Sequence, residues 1–179
     1  MTIYLIRHGK TRANEEKCYC GSSDLPLSEM GIKELCKLRY DFRNVRYLTS
    51  GMLRTEQTLK LLLGEVPHDR DTRFREVDFG IFELQSYAQL KDTPEYQQWL
   101  SGDNEANVPP KGESGEQMKQ RVLEAFSELH EDTVVITHGG VIAAIMDYLF
   151  PQENKTRYDW QPQCGHGYGI QGNTYWKIP

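Results

Sequence analysis

Two histidines in this 179-residue chain stand in the same local context. His8 follows residues 2–6, a short apolar run that is partly β-branched, and is followed by Gly9; His138 follows the run Thr-Val-Val-Ile-Thr and precedes Gly139 and Gly140. One histidine at a strand end more often serves a structural hydrogen bond. Two in matched contexts point to a shared crevice, because an open α/β sheet binds ligands beyond the carboxyl ends of its strands. The adjacent glycines let backbone N–H groups approach such a ligand closely. Arg7 adjoins His8, and Arg54 begins the helix after the second predicted strand. Guanidinium groups grip phosphate bidentately and a helix N-terminus adds favourable partial charge, so the expected ligand is an oxyanion. Two guanidinium groups beside two imidazoles would repel a divalent cation, and no metal is expected.

Chemistry on a phosphate ester needs a proton for its leaving group. The segment Arg75-Glu76-Val77-Asp78-Phe79-Gly80 offers two carboxyl groups beside apolar residues. A carboxyl partly desolvated against Phe79 would serve as a general acid. Spacing does not choose between Glu76 and Asp78, nor does it exclude that both are solvated loop charges.

The elements that must position these groups alternate between strand and helix, which predicts an α/β sheet with helices on both faces. Residues 2–6 and 45–49 form strands. Ser28 caps a helix whose apolar positions Ile32, Leu35, Cys36 and Phe42 share one face, and a second helix starts near Thr55, turns Leu59, Leu62 and Leu63 inward and stops at Gly64. Residues 83–100 hold one or two short helices with Tyr87, Leu90, Tyr96, Trp99 and Leu100 in apolar contacts. Residues 104–114 are loop. Ser114 and Gln117 make a capping box ahead of Met118, Val122, Ala125, Phe126 and Leu129 at helical spacing. Residues 132–137 form a buried strand, 141–150 an almost wholly apolar helix, and 168–178 a hairpin around Gly172-Asn173.

Bulk properties narrow the function. The chain is 38% apolar and 26% charged, with a net charge of −5 and a pI near 5.6, and lacks the basic stripe of a nucleic-acid binder. No apolar run approaches the roughly 20 residues of a membrane span. The first residues lack a basic leader before their apolar run, so they are expected to be a strand, with the cytoplasm as default location. Cys18, Cys20, Cys36 and Cys164 include no CxxC pair and are expected to be reduced thiols. One domain is expected over residues 1–179, with a small cap-like insertion at about 81–110.

Five segments in order resemble the histidine phosphatase superfamily, on its phosphoglycerate-mutase-like branch. Arg7-His8-Gly9-Lys10-Thr11 with Asn14 is similar to the RHGxT motif and its trailing asparagine. The stretch from Ser50 to Thr58 resembles S-x-x-x-R-[AT]-x-Q-T, and Glu76-Val77-Asp78-Phe79-Gly80 resembles ExxFG. Gly112-Glu113-Ser114 and Thr137-His138-Gly139-Gly140 match the last two. The resemblance implies a three-layer α/β/α sandwich with a mostly parallel central sheet. It implies that His8 is a neutral nucleophile that becomes phosphohistidine. Arg7, Arg54 and His138 would bind the phosphoryl oxygens, and Glu76 would protonate the leaving alkoxide and then help activate water. Asn14 and the Gly139 amide would make secondary contacts. No cofactor is implied.

Lys10 stands where the family often has Glu or Gln, and Phe82-Glu83-Leu84 stands in place of its tryptophan, glutamate and glycine. Whether Glu83 assists Glu76 stays open. The expected activity is metal-independent hydrolysis of a small phosphomonoester, α-ribazole 5′-phosphate being the first named candidate. The alternatives are a phosphoglycerate-type mutase and a catalytically weak phospho-ligand-binding protein. Tyr19, Tyr87, Tyr96 and Trp99 are either an aromatic wall for a nucleoside-like substrate or core. Monomer and homodimer are equally compatible with the sequence.

Overall fold

The computed structural model describes all residues, 1–179. Six strands form one sheet: β1 Thr2–Arg7, β2 Arg46–Thr49, β3 Asp69–Arg70, β4 Thr133–Thr137, β5 Gly167–Gln171 and β6 Thr174–Ile178, in the order β3-β2-β4-β1-β5-β6. The first four of that order pair in parallel, while β1–β5 and β5–β6 are antiparallel. The helices are α1 Arg12–Glu15, α2 Glu29–Leu35, α3 Leu53–Leu63, α4 Tyr87–Leu90, α5 Pro94–Leu100, α6 Gly115–Ser127, α7 Gly139–Leu149 and α8 Arg157–Trp160.

Alternation along the strands divides the core into two layers, because successive side chains leave a strand on opposite faces. Ile3, Leu5, Leu48 and Val135 join Met118 and Val122 of α6, Val141, Ile142, Ile145 and Met146 of α7, and Trp160. Ile6, Val134 and Ile136 face Leu59 of α3, with Tyr4, Tyr40, Phe42, Leu62 and Leu63 around them. Helices on both faces of a mostly parallel sheet make the expected three-layer sandwich. Strand β4 is central and buried at every position, which is why its sequence is a continuous β-branched run and not an alternation.

Two local expectations need correction. Helix α2 ends at Leu35, so Phe42 lies outside it, and Ile32 and Cys36 are exposed, while Gly31 and Leu35 face inward. Tyr40 and Phe42 instead stack on each other at 5.3 Å, and Phe42 reaches Tyr4 at 4.6 Å. Tyr87 and Leu100, expected in apolar contacts, are 60% and 37% exposed. Phe82, Leu90 and Tyr96 form a separate small core with Tyr19 and Trp99 packed on it, so those two rings and Tyr96 serve packing.

Candidate active site

The register of the two central strands brings the histidines together. Strands β1 and β4 are parallel neighbours, and Arg7 lies opposite Thr137, so His8 and His138 leave the same edge of the sheet one residue later. Both are buried, at 6% and 0% exposure.

Hydrogen bonds set the tautomer of each ring. His8 Nδ1 lies 2.7 Å from the Gly9 carbonyl oxygen, which only accepts, so Nδ1 carries the proton and Nε2 keeps its lone pair. The Gly9 amide is held in turn by Thr58 Oγ1 at 2.9 Å. His138 takes the other tautomer. Arg54 Nε, a donor only, meets its Nδ1 at 3.3 Å, so the proton sits on Nε2 and is donated to Ser50 Oγ at 2.8 Å. Thr55 Oγ1 donates to the Met52 carbonyl at 2.7 Å, which obliges Ser50 to donate to Thr55 at 3.1 Å. The chain therefore runs one way from His138 through Ser50 and Thr55 to Met52. Burial, then Arg54 and Arg7, push His8 well below the usual imidazole range; burial, then Arg54, His8 and Arg7, do the same to His138.

Arg54 is fully buried. A guanidinium has five N–H groups. Arg54 commits Nε to His138, one Nη1 hydrogen to the Ser23 carbonyl at 2.8 Å and one Nη2 hydrogen to the Gly21 carbonyl at 2.7 Å, leaving two for a ligand. Arg7 Nη1 donates to the Pro162 carbonyl at 2.9 Å, and its Nε is buried with no hydrogen-bond partner. A buried orphan donor on a cation is what an anion-binding site contains before its anion arrives.

Glu76 and Asp78 separate cleanly. Glu76 Oε2 accepts from the Gly140 amide at 2.9 Å, in the first turn of α7 beside His138. A Cβ on Gly140 would lie 2.3 Å from Glu76 Oε1, so only glycine admits the carboxyl here. Asp78 instead accepts from Ser22 Oγ at 2.9 Å and the Gly80 amide at 2.8 Å, a loop-fastening role. Glu83 stands apart from Glu76: its carboxylate is surrounded by the amides of residues 21–23. Asn14 uses its Oδ1 to cap α1 through Thr11 and borders the same chamber as Arg7. The Gly139 amide is one of the unpaired donors of a helix start.

The chamber beside Arg7 has a volume of about 620 Å³ and is bordered by Lys10, Asn14, Lys37, Gln163, Cys164 and His166. Lys10 is paired with Glu34 at 2.9 Å. Sequence reasoning missed Ser50 as the partner of His138, although Ser50 opens one of the quoted motifs. It also missed Pro162, whose carbonyl role carries no side-chain signal. No group of three or more His, Cys, Asp or Glu side chains is placed to hold a metal ion.

Paired neutral imidazoles, two guanidinium groups and a nearby carboxyl, all at the C-terminal edge of a parallel sheet, define a protein of phosphoryl-transfer type. The chain belongs to the histidine phosphatase superfamily (branch 1), whose family model matches residues 3–168. It is 30% identical over 178 residues to the adenosylcobalamin/α-ribazole phosphatase of Salmonella typhimurium LT2, covering 92% of this chain and 87% of that protein. It is 29% identical over 163 residues to a Yersinia pestis (strain Pestoides F) protein named as a probable phosphoglycerate mutase, GpmB, covering 83% and 74%. Its fold matches, with a TM-score of 0.85 and 25% identity over 99% and 94% of the two chains, an Escherichia coli K-12 protein provisionally assigned as an α-ribazole-5′-P phosphatase.

Proposed function

We propose that this chain hydrolyses a small phosphomonoester through a phosphohistidine formed on His8 Nε2. The observation that carries the reading is the 2.7 Å bond from His8 Nδ1 to the Gly9 carbonyl, which leaves Nε2 unprotonated beside Arg7 and Arg54. Nε2 attacks phosphorus and forms the N–P bond while the ester P–O bond breaks. The departing alkoxide takes a proton from the Glu76 carboxyl. Arg7 Nε and the two free Arg54 hydrogens hold the phosphoryl oxygens as their charge redistributes. His138 acts through Arg54, whose Nε its Nδ1 accepts, with its ring locked by Ser50. Glu76, now a carboxylate, accepts a proton from water; the hydroxide attacks phosphorus, the N–P bond breaks, and phosphate leaves with His8 restored. No step calls on a metal or cofactor.

The segment 81–110 serves in this reading as a small cap that leaves the site open to water. The Salmonella relative makes α-ribazole 5′-phosphate the first substrate to try. Mutase chemistry is the second reading, favoured by the Yersinia relative and by Lys37 at the chamber, which suits a substrate with a further acid group, Lys10 there being paired with Glu34. The test is release of phosphate from α-ribazole 5′-phosphate, 3-phosphoglycerate and p-nitrophenyl phosphate, with EDTA present and beside His8→Ala. Turnover that survives EDTA and disappears in the variant supports hydrolysis through His8. Activity that needs a bisphosphorylated primer moves the reading to a mutase, and activity retained by His8→Ala overturns it.

A further inference from the structure

We infer that Glu83 is a positioning residue for Arg54, acting through the backbone of residues 21–23 without touching the substrate. This short loop has two faces. On one, the amides of Gly21, Ser22 and Ser23 donate to the Glu83 carboxylate at 2.9, 2.9 and 3.2 Å, and Ser23 Oγ adds a fourth bond at 2.7 Å. On the other, the carbonyls of Gly21 and Ser23 accept from the two terminal nitrogens of Arg54 at 2.7 and 2.8 Å. Three successive amides aimed at one point form a concave anion site. Here a side chain of the same protein fills it.

The consequence for Arg54 is both geometric and electrostatic. The Gly21 carbonyl shares its peptide group with the Ser22 amide, so the carboxylate polarises that carbonyl and strengthens the bond it accepts from Arg54, while the amide and hydroxyl bonds of Ser23 fix where its own carbonyl lies. Each carbonyl also consumes a defined hydrogen of the guanidinium, so the direction of the two remaining hydrogens is dictated by where the loop lies. The loop is seated closely: a Cβ on Gly21 would stand 1.6 Å from the Val77 carbonyl oxygen, so no other residue fits there. Glu83 is itself held, since its Oε1 accepts from the Phe79 amide at 3.1 Å and the next residue donates to the Tyr19 carbonyl at 2.7 Å. Glu76 is attached elsewhere, to Gly140, so the two glutamates serve different ends of the site.

The inference rests on the oxyanion site proposed above, and binding separates the two claims. Orthovanadate and inorganic phosphate are titrated calorimetrically into the wild type, Glu83→Gln, Glu83→Ala, Arg54→Gln and the double variant Glu83→Ala/Arg54→Gln. Loss of the carboxylate should weaken oxyanion binding about tenfold in Glu83→Ala and about threefold in the equally bulky Glu83→Gln, typical of partners within one hydrogen-bond network. Removing Glu83 should have no further effect once Arg54 is replaced. Equal affinity in wild type and Glu83 variants, with or without a lower Tm, overturns the positioning role, as does an undiminished Glu83 effect in the Arg54→Gln background. A wild type that binds neither oxyanion overturns the phosphatase reading and this inference together. If Glu83→Ala does not fold, Glu83→Gln carries the same comparison.

Discussion

The rings of His8 and His138 stand 5.1 Å apart, centroid to centroid, inclined at 63°. That spacing follows from parallel strands in register, each ending one residue before its histidine. Two buried imidazoles this close, with Arg7 and Arg54 beside them, are held neutral by desolvation and by like charge. In the proposed reaction His8 is thereby available as the nucleophile, and His138 as an oriented partner of Arg54.

The neutral pair predicts a pH dependence of stability. Unfolded, each histidine titrates near 6.5; folded, each stays neutral well below that value. Below pH 6.5 the unfolded chain binds protons that the folded chain refuses, so stability falls by up to about 1.4 kcal/mol per pH unit per histidine. His68 has the opposite sign. The Val66 carbonyl and Glu56 raise its pKa, so its contribution is complete below 6.5 and fades as pH rises through the folded value. Glu56 is pushed up by burial, but bonds from Arg70, Thr49 and His68 prevail and bring it to about 2, so it is not the source of loss above pH 5. Thermal melts from pH 5 to 8 should therefore fall steeply below 6.5, and His68→Asn should remove only the alkaline decline. A Tm that stays level between pH 6.5 and 5 would contradict the neutral pair.

Ser50→Ala should disable the support of His138 while leaving His8 in place. The substitution strands the buried Nε2–H, at a cost of roughly 1–3 kcal/mol in stability. It also lets the ring adopt the other tautomer, which would set an N–H against Arg54 Nε. By analogy with residues that orient metal-ligating histidines, kcat/KM should drop about 10–100-fold. Thr55→Ala should act in the same direction but more weakly, being one link further along. Steady-state kinetics on a phosphomonoester check both, and full activity in Ser50→Ala would dismiss the chain from His138 to Met52.

Much of the site was legible because its residues abut regular elements. His8, Arg7 and His138 follow apolar strands whose adjacency a parallel α/β sheet supplies, and Arg54 opens a helix. What spacing could not separate was Glu76 from Asp78, because that decision depends on Gly140, more than sixty residues away. The loop of residues 21–23 was silent for another reason: it works through carbonyls and amides, which every sequence contains. The helix expected to reach Phe42 ended early because Tyr40 and Phe42 cover the sheet from irregular chain beyond α2. Trp160, wholly buried beneath Lys155 at 4.2 Å, lies on a helix too short for periodicity to reveal.

Leu84 has a left-handed backbone conformation, with a φ of +60°. A left-handed conformation costs a residue with a Cβ roughly 1–2 kcal/mol, whereas glycine adds roughly 0.5–1 kcal/mol of unfolded-state entropy. Leu84 is 47% exposed, so little packing is lost on truncation. Leu84→Gly should therefore stabilise the protein by about 0.5–1 kcal/mol. Urea denaturation would show the gain as a higher midpoint with an unchanged slope; a lower midpoint would mean that the leucine side chain contributes more than its exposure indicates.

Glu76→Gln tests the proton path, because glutamine retains an oxygen for the Gly140 amide yet has no proton to give. With an alkyl phosphate the leaving alkoxide needs that proton, and transfer of phosphorus to His8 should slow about 10²–10⁴-fold. Nitrophenolate leaves without protonation, so p-nitrophenyl phosphate should still phosphorylate His8 at close to the normal rate. Hydrolysis of the phosphohistidine, however, needs the carboxylate to take a proton from water. Stopped-flow measurements on Glu76→Gln should therefore show a burst of one nitrophenolate per site followed by slow turnover, and no burst of alcohol from the alkyl ester. Equal slowing of both esters in the first phase would place the acid elsewhere. A fast steady state after the burst would leave water activation to another group.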